Sequence, residues 1–170
     1  DFVRGDTSLS LANGGVFRDR DSLLGDIVHA SPVPYRWDST QPGVVFVGAN
    51  DGMLHGFDAE TGVEQFAYVP KSLFPELSKL TSADYTHRYF VNGSPRSADA
   101  YIDHDANGSA SWRTVLVGTT GAGARSVFAL DVTDPAGFSA GDVLCEFTSD
   151  DNAELVARAQ SAPPMRSAGP

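Results

Sequence analysis

Asp103-His-Asp-Ala-Asn-Gly108 sets side-chain oxygens at positions 1, 3 and 5 of a loop and a glycine at position 6. Calcium loops open this way, because a hard dication gathers several oxygens and the glycine makes the sharp turn that brings them round it. Counting on, Ser109 offers its carbonyl at position 7 and Ser111 a ligand at position 9, but position 12 is Thr114 and not the bidentate glutamate. The candidate ligands are therefore Asp103, Asp105, Asn107, Ser109 and Ser111, for a weak calcium site completed by several waters. The same residues also suit a hairpin loop rich in turn formers and nothing more. Arg4-Gly5-Asp6 is the other candidate, since integrin-type receptors read this tripeptide when it stands on an exposed loop tip. Its plainer role is structural, with Gly5 supplying a turn.

Other reactive residue types lack the spacing that chemistry needs. His29, His55, His87 and His104 are scattered with no close pair at metal-ligand spacing. His55 and His87 suit hydrogen-bonded packing positions, and only His104 shares a loop with other ligands. Gly121-Ala-Gly-Ala-Arg125 leads into a strand and not into a helix N-terminus that would hold a phosphate, so it reads as a hairpin connection. Asp19, Asp21, Asp150 and Asp151 lie in polar stretches and read as solvated surface. No nucleophile is aligned with a base. Cys145 is the single cysteine, which excludes an internal disulfide; within Val143-Leu-Cys-Glu-Phe147 it reads as an inward strand position filled by a small hydrophobe.

The elements that must hold these residues are strands. Val44 to Gly48, the turn Asn50-Asp51-Gly52, a second strand to Asp58 and the turn Asp58-x-x-Thr61-Gly62 run into a further strand over Val63 to Val69. A second copy follows: Thr114 to Gly118 and Ser126 to Asp131 align with the first on Gly48/Gly118 (118 − 48 = 70) and Asp58/Asp131 (131 − 58 = 73). Ala30-Ser-Pro32 and Gly93-Ser-Pro95 precede the two copies, so the repeat is roughly 65 to 70 residues long and fits radial repetition with one long insertion per unit. Between the copies, Leu73, Phe74, Leu77 and Leu80 fall at helical spacings, predicting one short helix over 71–82 with Ser72 as its N-cap. Tyr85 to Ile102 resumes β character, and residues 1–21 read as a polar lead-in with at most one short helix or strand.

The expected fold is all-β: about two β-propeller blades, over 22–70 and 85–148 within a unit 1–150, with one short helix insertion. A disordered Ala/Pro-rich tail is expected over 151–170. Twelve basic and 22 acidic residues give a formal charge of −10, which disfavours both a sequence-independent grip on nucleic acid and docking on an anionic membrane. No apolar run is long enough to span a bilayer. The start at Asp1 suggests an excised or processed piece, from which any export signal has been removed. Two blades do not close a ring of about four to eight, so either further blades or self-association through open blade edges is expected.

Several strings, in this order, resemble the C-terminal propeller domain of the type IV pilus assembly and adhesion proteins of the PilC/PilY family. They are Phe2-Val-Arg-Gly-Asp6, Arg18-x-Arg20-x-x-Leu-Leu-Gly-Asp-Ile-Val28, Ser31-Pro-Val33, Val47-Gly-Ala-Asn-Asp-Gly-Met-Leu-His55, Tyr68-Val-Pro70, His87-Arg-Tyr-Phe-Val-Asn-Gly-Ser-Pro95, Trp112-Arg-Thr-Val-Leu-Val-Gly118 and Phe128-Ala-Leu-Asp-Val-Thr-Asp-Pro135. The pattern departs at Asn92, Ala124 and Cys145, where the family usually has Asp, Gly and an aromatic. The resemblance implies part of a modified seven-bladed propeller, non-enzymatic, exported through the periplasm to the outer surface or pilus tip. There it would serve pilus assembly, retraction control, twitching and adhesion, with pilins, minor pilins, other tip components and a host receptor as partners. The family's calcium loop belongs to later blades and does not map onto this chain. A quinoprotein-like propeller enzyme is the alternative, because the Asp-Gly and Asp-x-x-Thr-Gly turns recur in pyrroloquinoline-quinone propellers. Trp37 and Trp112, however, do not lie at matched positions of the two repeats. A plain structural scaffold is the third reading.

Overall fold

The computed structural model describes residues 1–37, 42–104, 108–148 and 150–151. Eight strands form two antiparallel four-stranded sheets, each a meander in chain order. The first contains β1 (Val33–Tyr35), β2 (Val44–Gly48), β3 (Leu54–Asp58) and β4 (Glu64–Tyr68). The second contains β5 (Arg96–Ile102), β6 (Ser111–Thr119), β7 (Ser126–Asp131) and β8 (Val143–Thr148). These are two blades of the expected all-β propeller architecture.

Alternation along each strand sends every second side chain to the seam between the blades. From the first sheet Val44, Phe46, Leu54, Phe66 and Tyr68 enter it, and from the second Leu116, Phe128 and Leu130; all belong to one buried cluster. The repeat read from sequence is visible in the register. The ladder shifts between Gly56 and Phe57 in one blade and between Ala129 and Leu130 in the other, an offset of 129 − 56 = 73 that equals the Asp58/Asp131 offset. The turn after β3 is built as its residues dictate. Asp58 accepts hydrogen bonds from the Glu60 and Thr61 amides and the Thr61 hydroxyl, and Gly62 takes a left-handed φ of 72°.

Four expectations are corrected. The insertion is a run of 3₁₀ turns, Lys71–Thr81, containing Pro75; Pro70 occupies the N-cap position, so Ser72 does not cap it. The cap comes from the other blade: Glu146 of β8 accepts the Lys71 amide (2.8 Å), the Ser72 amide (3.0 Å) and the Tyr68 hydroxyl (2.8 Å). That inward-pointing Glu146 puts Cys145 on the opposite, outer face, partly exposed and across from Ala129, because strand neighbours alternate. Residues 85–95 hold no strand. Val91 donates to the Ala49 carbonyl and Asn92 to that of Thr120, one bond to each blade, so the segment is a spacer wedged between them and not a ladder partner. Gly48 makes room for it, since a Cβ there would stand 2.4 Å from the Val91 carbonyl oxygen. The lead-in, finally, holds two 3₁₀ turns, Phe2–Arg4 and Leu11–Asn13.

Candidate functional site

The amino-terminal segment lies across the outer face of the first sheet, and polar latches fix it there. Arg18 donates to the Leu80 carbonyl (2.7 Å) and stacks over Tyr85, while Arg20 donates to the Phe2 carbonyl (2.6 Å) and covers its ring. Gly25 donates to Asp51 (2.8 Å), and Asn50 donates through its amide to the Asp26 carbonyl. Asn50 also accepts the Phe90 amide through its side chain (2.9 Å). Asn50 and Asp51 therefore do more than turn the chain: they are buried, and they anchor the segments that flank the blade.

Beneath that segment His55 is buried between two carboxylates. Its Nε2 lies 3.1 Å from Asp51 Oδ2 and its Nδ1 2.5 Å from Glu64 Oε1, and its ring stacks on Phe57. Burial alone would lower the imidazole pKa, but the hydrogen bond and charge of Asp51, then those of Glu64, outweigh it and hold the value above the ordinary one. This trio was not legible as a unit, although the hydrogen-bonded packing role expected for His55 is the one it fills. His55, Glu64 and Phe57 line one side of a groove of about 610 Å³ that Met53, Ala67 and Val69 continue and that Val3, Arg4, Leu23 and Leu24 close from the amino-terminal side.

Arg4-Gly5-Asp6 stands on the rim of this groove. Gly5 has φ 97°, a left-handed conformation that ends the first 3₁₀ turn, and its amide donates to the Phe2 carbonyl. Arg4 and Asp6 are exposed on either side of it. The Asp6 carboxylate accepts the Ser8 amide (2.8 Å), which holds its pKa below the usual range. The glycine turn read from the sequence is thus present, and the two charged side chains flank it at the surface.

The expected calcium ligands are placed only in part. Asp103 follows β5, and its Oδ2 accepts the Gly108 amide (2.7 Å). Ser109 is exposed, and Ser111 opens β6, where its hydroxyl accepts from Arg113 Nε (3.1 Å). Asp105 and Asn107 lie outside the described residues. Of the remaining histidines, His87 pairs with Asp26 at 2.7 Å on the surface and His29 meets Asn92. Gly121 to Arg125 connects β6 to β7 as a turn.

Known proteins answer to the same pattern. A family model described as the PilY1 beta-propeller domain matches residues 34–159. The chain is 39% identical over 181 residues to the type IV pilus biogenesis factor PilY1 of Pseudomonas aeruginosa strain UCBPP-PA14, covering 91% of this chain and 14% of that protein. It is 39% identical over 184 residues to a PilY1 homolog of Xylella fastidiosa, covering 91% of this chain and 12% of the homolog. Among solved structures, the Pseudomonas aeruginosa PilY1 C-terminal domain matches with 43% identity and a TM-score of 0.47, over 65% of this chain and 19% of that one. The chain therefore spans only a small part of the length of these relatives.

Proposed function

Because this chain belongs to the PilY1 β-propeller family, we propose that it is a two-blade portion, 22–70 and 85–148, of a pilus-biogenesis propeller that acts as a non-enzymatic assembly and adhesion surface. The observation that carries this reading is the seam. Two complete four-stranded blades share one core, as propeller blades that pack in series do. The partners are pilins or minor pilins and other pilus-tip components, met at the outer cell surface, and the contact governs pilus assembly and retraction. The names of the relatives, all pilus biogenesis factors, support the same reading.

Arg4-Gly5-Asp6 supplies the adhesive element. Its geometry suits a receptor that reads one cation and one anion across a tight turn, because both side chains are exposed while Gly5 fixes the backbone between them. An integrin ectodomain should bind the parent chain and lose the Asp6→Glu variant; equal binding to both would remove the adhesive role. Asp103, Asp105, Asn107, Ser109 and Ser111 remain a weak calcium loop on this reading. Calcium up to millimolar concentration should raise the melting temperature only slightly, and no rise at all would leave a plain hairpin loop.

The broader function is tested by exchange. The matched segment of Pseudomonas aeruginosa PilY1 is replaced with these residues and surface pili are counted in a strain lacking its own copy. Restored piliation is expected. A folded, exported chimera that leaves the cells bald would contradict the proposal.

A further inference from the structure

Asp131 ends β7 just after the bulge, a position at which ladder irregularities re-aim side chains. It is only 3% exposed. Its Oδ1 takes both donors of Thr133, the amide at 2.9 Å and the hydroxyl at 2.5 Å, yet its buried Oδ2 accepts no hydrogen bond among the described residues. A buried, ionised oxygen left in that condition is costly unless a cation answers it. Two groups face it: His104 Nδ1 at 3.2 Å and an Arg113 guanidinium nitrogen at 3.6 Å.

Asp142 is divided in the same manner. It closes the 3₁₀ turn Ala140–Asp142, and its Oδ2 accepts both the Ser139 amide (2.7 Å) and the Ser139 hydroxyl (2.8 Å). Its Oδ1 faces His104, 3.9 Å from Nε2. Each carboxylate thus has one oxygen fixed by neighbours and the other turned toward the imidazole, the arrangement in which outer-shell hydrogen bonds orient metal ligands. One ligand atom from each of His104, Asp131 and Asp142 lies within 4.8 Å of the others. Ligands of a tetrahedral zinc ion stand roughly 3.4 Å apart, so the three must close by up to about 1.4 Å, with the imidazole turned so that one nitrogen serves the ion both carboxylates face.

We propose that His104, Asp131 and Asp142 bind a divalent transition metal of the zinc class, with water in the remaining position. An imidazole among two carboxylates selects such an ion over calcium, which prefers an all-oxygen shell of higher coordination number. The site is distinct from the oxygen ligands expected in the neighbouring loop and uses none of them. Arg113 is its built-in competitor, since its positive charge satisfies Asp131 when metal is absent.

That competition makes the test decisive. Zinc(II) is titrated into the 170-residue chain by calorimetry, and cobalt(II) is followed by its visible d–d absorption. One saturable equivalent and the intense spectrum of a low-coordinate cobalt site are expected, with calcium at equal concentration displacing neither. His104→Gln and Asp142→Asn should each weaken zinc by at least about tenfold, whereas Arg113→Gln should tighten it several-fold. Binding that survives His104→Gln, a hexaaqua-like cobalt spectrum, or an Arg113→Gln variant that binds no more tightly would each overturn the proposal and leave the group an ion-pair network. The cobalt spectrum of the parent chain needs no variant to fold.

Discussion

In the first blade the outward residues His55 and Phe57 of β3 lie beside the amino-terminal segment, and His55 is buried under it. In the second blade two outward residues, Val127 of β7 and Phe147 of β8, are 44% and 60% exposed. Both faces carry apolar side chains because a blade's strands alternate toward two neighbours, and the amino-terminal segment covers that of the first blade. What differs is the price of an irregular cover: chain without a ladder must satisfy its own backbone groups. The first blade therefore buries Asn50, Asp51 and His55 to hold Gly25, Asp26 and Phe90, while the outer face of the second carries the exposed Val117, Val127 and Phe147 and the partly exposed Cys145, with a buried polar group, Asp131, at its end.

The paired aspartates give the same lesson at smaller scale. Asp58 and Asp131 occupy matching ends of β3 and β7, and each accepts from a nearby threonine. Asp58 goes on to cap a solvent-facing turn, whereas Asp131 is buried against His104, Arg113 and Asp142. The strand ends match, but Asp58 pairs with Val44 on the seam face and Asp131 with Val115 on the outer face, and that one-residue difference in register decides what surrounds them.

The sharpest way to break the contrast between seam and outer face is to truncate a ring in each. Phe128→Ala removes a fully buried ring packed against Tyr68 of the other blade and should cost about 3–5 kcal/mol, read as a fall in urea midpoint. Glu146→Ala removes the carboxylate that caps the 3₁₀ helix across the seam and strands the Tyr68 hydroxyl. It should cost about 1–3 kcal/mol. The Tyr68 phenol, whose pKa burial and Glu146 hold far above the ordinary value, should then titrate earlier in an ultraviolet pH scan.

The latch on the first blade sets a pH signature. The folded-state pKa of His55 is raised above its ordinary value of about 6.5, so its contribution to stability is complete below that pH and is lost as pH rises through the raised value. Melting temperature should fall over that window, and His55→Gln should flatten that part of the profile. Phe147→Ala should have the smallest effect, within about 0.5 kcal/mol, because its ring is largely exposed. A loss as large as that of Phe128→Ala would mean the outer face of the second blade is covered after all.

Much of the fold was legible because it is local. Asp58, Thr61 and Gly62 specify their turn within five residues, and the continuous apolar, Val-rich run Val44 to Val47 specifies a strand. The missed features join residues far apart: Glu146 to Ser72, Asn50 to Phe90, and His104 to Asp131 and Asp142. No periodicity records such pairs. Phe90 and Val91 looked like strand because they are apolar; they are apolar because they plug the space between blades. Cys145 was assigned the wrong face because an inward glutamate is improbable until its distant helix end is in view. Of the site residues, the Gly5 turn could be read directly, whereas the His55 trio required the sheet register that sets Glu64 beside it.

Native-state hydrogen exchange tests most directly whether the two blades form one unit joined through the seam. The account predicts that the central amides of β2, β3, β6 and β7 exchange with one common opening free energy, equal to that of global unfolding, and that Phe128→Ala lowers all of them together. Separate opening of β6 and β7, with β2 and β3 still protected, would contradict it.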